Sequence, residues 1–181
     1  MLDKHPGNAE LLLRLGIVTA LQGNYAQGRI LMFDAYAARP ELRLQLVDGL
    51  SFIAEHMTKT GNYDAAESIY REIIDMAPAE GWYQVRYAES LIAQENYNDA
   101  KEVLVNILLN APESPYSAQK LDFVISRMNP QNTGVDTWAE IAGSHPNAFV
   151  PKMHLAMAME QQNKYGEALD QFKALHKLHP D

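Results

Sequence analysis

Cysteine is absent from the 181 residues. That excludes disulfides and thiolate-held metals, and it leaves cytoplasm and periplasm equally open. Long apolar runs are also missing: "LLLRLGIV" and "VLVNILL" fall well short of the ~20 residues that a membrane-spanning helix requires. There is no basic excess, since 15 Lys and Arg stand against 23 Asp and Glu for a net charge of −8. A nucleic-acid binder would need a basic face to meet phosphates, so nucleic acid is not an expected partner. The opening "MLDKHPGN" lacks the charged-then-apolar pattern of a signal peptide. Catalytic signatures are missing too, with no H-E-x-x-H, P-loop or G-x-S-x-G pattern. Ser51 in "DGLSFI" lacks the second glycine and reads as a helix residue. The carboxylates scatter over solvated helix faces without forming an acid–base pair. Neither catalysis nor a cofactor is expected of this segment. A content of 47% hydrophobic and 21% charged residues is that of a folded chain.

What the chain does contain is a repeated turn. "QGNYAQG", "TGNYDAAE", "QENYNDAK" and "QNKYGEAL" carry Tyr25, Tyr63, Tyr97 and Tyr165, spaced by 38, 34 and 68 residues. Pro40, Pro78, Pro112, Pro146 and Pro180 step by 38, 34, 34 and 34. Two residue types on one period indicate a stacked repeat array. The units are 9–42, 47–80, 81–114, 115–148 and 149–181. Residues 1–8 read as the tail of a preceding repeat, and 43–46 as a one-turn insertion.

Apolar residues recur at helical spacing on both sides of each turn. Leu12, Leu15 and Thr19 are expected to share one face in the first unit, opposite Gly28, Met32 and Ala35. Gly16, Ala54, Ala88 and Ala156 hold the eighth place of their units, and Gly28, Ala66, Ala100 and Ala168 the twentieth. Small residues there allow two antiparallel helices to approach closely. Asn24, Asn62 and Asn96 are placed to cap the second helices, and each proline to end them. Ser114 is a cap candidate with Pro115 in the first helical position.

This pattern resembles the tetratricopeptide repeat family, whose template is W-x2-L-G-x2-Y, then A-x3-F, then A and P. The resemblance covers nearly the whole chain and implies an all-α, right-handed superhelical solenoid of about five antiparallel helix hairpins. The fourth is degenerate: Asp122 stands at a small-residue place, Gln131 replaces the tyrosine, and the turn reads "NPQNTG". Trp138, Ile141 and Pro146 keep the beat, so a distorted hairpin is expected. Inside "PELRLQLVDGL" the first helix of the second unit should start early, near Glu41, and carry Arg43 on an extra turn.

Histidines suggest no metal site. His5, His145 and His179 each precede a repeat proline, where a histidine suits a helix C-terminus, and His176–His179 is read the same way.

In the resembling family the first helices line a concave groove. Carried over, that groove holds Leu13, Arg14 and Ile17, then Ser51, Phe52, Glu55 and Lys59. Trp82, Val85, Arg86 and Glu89 follow, then Tyr116, Gln119, Lys120, Phe123 and Arg127, and finally Met153, His154 and Met157. The candidate partner-binding residues are Phe52, Trp82, Arg86, Tyr116, Lys120, Phe123 and Arg127, with the site centred on repeats 3 and 4. There Arg86, Lys120 and Arg127 outnumber Glu89, which suits a protein or peptide with acidic and large apolar residues.

The Lys, Asn, Asn, Lys and Arg clamp that holds carboxylate-ended chaperone tails in some family members is not reproduced. Its places hold Leu13, Ile17, Phe52, Trp82 and Arg86. The expected function is a noncatalytic scaffold segment in a larger bacterial assembly or secretion component, in cytoplasm or periplasm. An envelope polysaccharide-export segment and a regulatory segment of a larger enzyme are the alternatives. Phe172, Leu175 and Leu178 are expected to leave an apolar C-terminal face for self-association.

Overall fold

The computed structural model describes residues 7–178 and Pro180. His5, Pro6 and His179 lie outside the described residues. Ten α-helices are found among these, and no strand. They are α1 (Gly7–Leu21), α2 (Tyr25–Ala38), α3 (Arg43–Lys59), α4 (Tyr63–Met76) and α5 (Gly81–Ala93). There follow α6 (Tyr97–Asn110), α7 (Pro115–Met128), α8 (Val135–Ser144), α9 (Phe149–Gln161) and α10 (Tyr165–Leu178). The fold is of the all-helical, tetratricopeptide-like class. The chain divides into two compact units, Met1–Ser90 and Leu91–Asp181, the division falling near the end of α5.

The recurring turn has one backbone conformation. Two residues before each turn tyrosine stands a left-handed residue: Gly23, Gly61, Glu95 and Asn163, with φ of 96°, 78°, 58° and 61°. The next amide reaches back five residues, Asn24 to the Thr19 carbonyl (3.2 Å), Asn62 to Met57 (2.9 Å), Asn96 to Leu91 (2.9 Å) and Lys164 to Met159 (3.0 Å). That bond and the left-handed residue together make a Schellman ending, and the tyrosine then opens the following helix. Asn24 accepts from the Gln27 amide as a side-chain cap. Asn62 and Asn96 occupy the same position but make no capping bond, contrary to expectation. Asn96 instead donates to Asp99 at 2.7 Å.

The prolines act as read. Arg39, Ala77, Ala111 and His145 leave the helix with φ between −142° and −130°. A following proline disfavours helical geometry at its predecessor.

In the first unit α1 packs on α2 and α3 on α4, with α1 also touching α3. Gly16, Gly28, Ala54 and Ala66 are all buried. At the α1–α2 crossing a Cβ on Gly28 would lie 2.5 Å from the Gly16 carbonyl oxygen, and one on Gly16 would lie 2.6 Å from that of Gly28. Backbone therefore meets backbone, and the glycine that replaces the usual alanine is required. This crossing also corrects the expected face of α1. Leu13, Gly16 and Ala20 are buried, while Leu15 is exposed with Leu11 and Val18. The residues buried are those three and four apart from Gly16, whose contact with α2 sets the helix rotation.

A 3-10 turn at Pro40–Leu42 leads into α3, whose first turn is made by residues 43–46. Arg43 is exposed but engaged. Its guanidinium donates to the Met76 carbonyl at 2.7 Å, satisfying an open acceptor at the end of α4.

In the second unit α6 packs on α7, α8 on α9 and α9 on α10, with α6 touching α8 and α7 touching α9. Ala100, Ala156 and Ala168 are buried. The α7–α8 turn takes residues 129–134, held by the Asn129 side chain accepting from Gln131 N and that of Asn132 from Gly134 N. Gly134 is left-handed (φ 79°). Glu113 bonds the Phe149 and Val150 amides, supplying α9 with the cap that Ala148 lacks. On α10 the expected apolar face is revised: Leu175 is 3% exposed and Phe172 is half-buried. Tyr165, Leu169 and Leu178 are the exposed ones, because Ala168 and Leu175, seven apart, turn the helix the other way.

Glu95 holds a position that glycine fills in two sister turns. Left-handed geometry costs a side-chain-bearing residue about 1–2 kcal/mol, against roughly 0.5–1 kcal/mol for glycine's greater unfolded freedom. Glu95→Gly should therefore stabilise the chain by up to about 1.5 kcal/mol, read as a higher urea midpoint at unchanged slope.

Candidate functional site

The first helices carry the candidate residues, because a first helix buries its small-residue stripe against its hairpin partner and leaves the opposite side free. Phe52, Trp82, Tyr116 and Phe123 are 56%, 55%, 49% and 46% exposed. Two expected groove residues are buried, Leu13 and Val85.

In the first unit Trp82 and Arg86 stand one turn apart on α5. The guanidinium lies 4.2 Å above the indole centroid, a cation–π stack. Arg86 also pairs with Glu89 at 3.2 Å, the one acid already counted against the three cations of the expected face. Phe52 lies elsewhere, at an open groove of about 440 Å³ between α1 and α3 whose walls include Arg14, Ile17 and Asp48.

In the second unit Tyr116 and Lys120 form a similar pair on α7, with Nζ 5.1 Å from the ring centroid. Arg127 is engaged by the turn tyrosine of the preceding helix, donating to the Tyr97 hydroxyl at 3.2 Å with its guanidinium 5.7 Å from the ring centroid. Its pKa is raised by that hydrogen bond first and the tyrosine's charge second. Phe123 borders a pocket of about 270 Å³ between α7 and α9.

A cluster that the sequence did not assemble lies beside Phe123. Trp138 is fully buried, and its indole N–H donates to Asp122 Oδ1 at 2.8 Å. His154 Nδ1 lies 2.7 Å from Asp122 Oδ2, and its ring stacks on Trp138 with centroids 4.7 Å apart. Asp122 thus replaces a small residue for a chemical reason: a buried indole needs an acceptor. The signal was available, since the fourth unit departs from the pattern at Asp122 while its only large aromatic in the second helix is Trp138. Among the described residues no group of three or more His, Asp or Glu could hold a metal ion, and no helix is long and apolar enough to cross a membrane.

Beneath the first-unit face, buried tyrosines are perturbed. Tyr70 has its phenol pKa pushed up to about 12, mainly by burial and then by the charge of Glu55. Tyr83 is also pushed up to about 12, by burial and by donating to Asp48 at 2.8 Å.

Two tetratricopeptide repeat profiles match the chain, over residues 57–121 and 153–181. The chain belongs to the tetratricopeptide repeat family. Its fold is similar to that of MamA 41-end from Desulfovibrio magneticus RS-1, at 15% identity, covering 95% of each chain with a TM-score of 0.50. A MamA RS-1 double mutant gives 14% identity, 95% and 94% coverage and a TM-score of 0.51. MamA AMB-1 gives 20% identity, 94% and 91% coverage and 0.50. At these identities the likeness is one of fold. No curated protein matches the chain. Tetratricopeptide repeat proteins are generally noncatalytic interaction scaffolds.

The tyrosine shifts set an alkaline limit on the repeat fold. The folded state holds the two phenolic protons to about pH 12, whereas an unfolded tyrosine loses its proton near pH 10. Their contribution is whole below about pH 10 and is lost as pH rises toward 12. Melting temperature should be flat from pH 7 to 9 and fall between 10 and 12, with Tyr70→Phe shallower than wild type by circular dichroism.

Proposed function

We propose that this chain is a noncatalytic protein- or peptide-binding segment of a larger bacterial assembly or secretion component. The observation that carries the reading is the set of half-exposed aromatics on the first helices, two of them, Trp82 and Tyr116, already stacked with a cation. Aromatic and arginine side chains dominate interface energies. Ones held in place by a neighbour lose less freedom on binding. Partner segments present large apolar residues to Phe52 and Trp82 in the first unit and to Tyr116 and Phe123 in the second, with acidic residues meeting Lys120. Arg86 serves as the support of Trp82 more than as a steering charge, because Glu89 offsets it.

The chain also self-associates through α10, where Tyr165, Leu169 and Leu178 are exposed. Apolar patches of this kind mark association sites. Light scattering should show mass rising with concentration, and Leu169→Glu should hold the chain at monomer mass. A wild type that stays monomeric at millimolar concentration removes this part of the reading.

The docking faces are tested by capturing the partner from a bacterial lysate and measuring its affinity for variants. Trp82→Ala should weaken binding by on the order of 2 kcal/mol. Lys120→Ala should cost less and flatten the salt dependence, since an exposed charge acts mainly on association. Unchanged affinity for the triple alanine variant of Trp82, Tyr116 and Phe123 would place the interface elsewhere. Saturable binding of soluble glycans by the wild type alone would favour a polysaccharide-export role.

A further inference from the structure

The pocket between α7 and α9 has a chemistry of its own. Phe123 and Met157 give it apolar walls, while Asp122, His154 and Thr133 give it polar ones. Neither lysine nor arginine is among the residues that line it. Asp122 is fixed from two sides, by the Trp138 indole N–H and by His154 Nδ1. In the neutral imidazole, with Nδ1–H donating to the carboxylate, the other ring nitrogen is an acceptor. Each carboxylate oxygen retains a further lone pair, and the carboxylate side chain is 42% exposed. The Thr133 hydroxyl is buried with no hydrogen-bond partner among the described residues. The pocket therefore offers acceptors and negative charge from more than one wall. At about 270 Å³ it is smaller than the roughly 300–1,000 Å³ of sites for whole small molecules, and its size suits one long side chain.

We propose that this pocket takes a single arginine side chain of the docked segment, an inference that rests on the peptide-binding reading above. The guanidinium carries five N–H donors in a planar fork, enough to meet Asp122 and the imidazole together. Its methylene stem lies along Phe123 and Met157. A lysine offers three donors from one point and satisfies fewer of the walls, and an acidic side chain meets Asp122 as a like charge. The distorted fourth hairpin is thereby a specificity element: Asp122 brings the charge, and Trp138 and His154 hold it in place.

The experiment is a proton–nitrogen NMR titration of the ¹⁵N-labelled full chain with N-acetyl-arginine amide. The chain has two tryptophans, so two indole N–H peaks report, assigned with Trp82→Phe. The Trp138 peak should shift saturably while the Trp82 peak stays in place. N-acetyl-lysine amide should give a weaker response and N-acetyl-glutamate none. Asp122→Asn keeps an oxygen acceptor for Trp138 and removes the charge, and the shift should be lost. Met157→Arg sits on a partly exposed wall, where folding is not at risk, and should abolish the shift by placing a cation in the pocket. No saturable shift in the wild type, or a shift that survives both variants, overturns the assignment. A failed titration with partner affinity still dependent on Trp82 removes the pocket and keeps the docking faces. A successful titration with a partner indifferent to Trp82 does the reverse.

Discussion

The hydrogen bond from the third residue past the first helix back to the carbonyl five residues earlier is the constraint on which four of the five hairpins depend. It forms at Asn24, Asn62, Asn96 and Lys164, and each time it needs the preceding residue in the left-handed region. Once that residue is in place the chain reverses within three positions and the tyrosine begins the next helix. The geometry tolerates different side chains at different cost: Gly23 and Gly61 adopt it freely, Asn163 readily, and Glu95 with strain. The repetition of the sequence motif is the repetition of this one backbone event.

Reversal alone does not pack two helices. The eighth and twentieth places do so by being small, and the first hairpin shows the limit, with two glycine backbones in direct contact. The fourth hairpin solves the same problem differently. Its turn is longer, its second helix has only ten residues, and a fully buried tryptophan fills the space. A polar network follows from that choice, since an indole N–H removed from water must find an acceptor. The irregular hairpin is thus the one that brings a carboxylate and an imidazole together.

Function follows from which sides the packing leaves open. With the small-residue stripes buried, the large aromatics of the first helices remain half in solvent, and nearby cations lie over Trp82 and Tyr116. Stacking fixes the aromatic rings without hiding them, an arrangement suited to recognition by side chains of a partner. Arg127 and Arg43 show that not every exposed-looking cation is available. One is bound to Tyr97 and the other to the end of α4.

The sequence by itself determined the hairpins, because a 34-residue spacing of tyrosine, proline and small residues maps directly onto local backbone events: a left-handed turn, an extended residue before proline, a close helix crossing. It also marked Phe52, Trp82, Tyr116 and Phe123 as large apolar residues on the open side of first helices. Rotation about a helix axis was less legible. Leu15 and Leu175 exchanged their expected exposures, since a shift of one residue turns a side chain by about 100° and only the crossing partner settles it. Asn62 and Asn96 kept the capping position without the capping bond, because side-chain rotamers answer to immediate neighbours. Only the tertiary structure could bring Asp122, Trp138 and His154 together. They lie 16 and 32 residues apart on three helices, and their meeting depends on how α7, α8 and α9 pack, which no periodicity encodes.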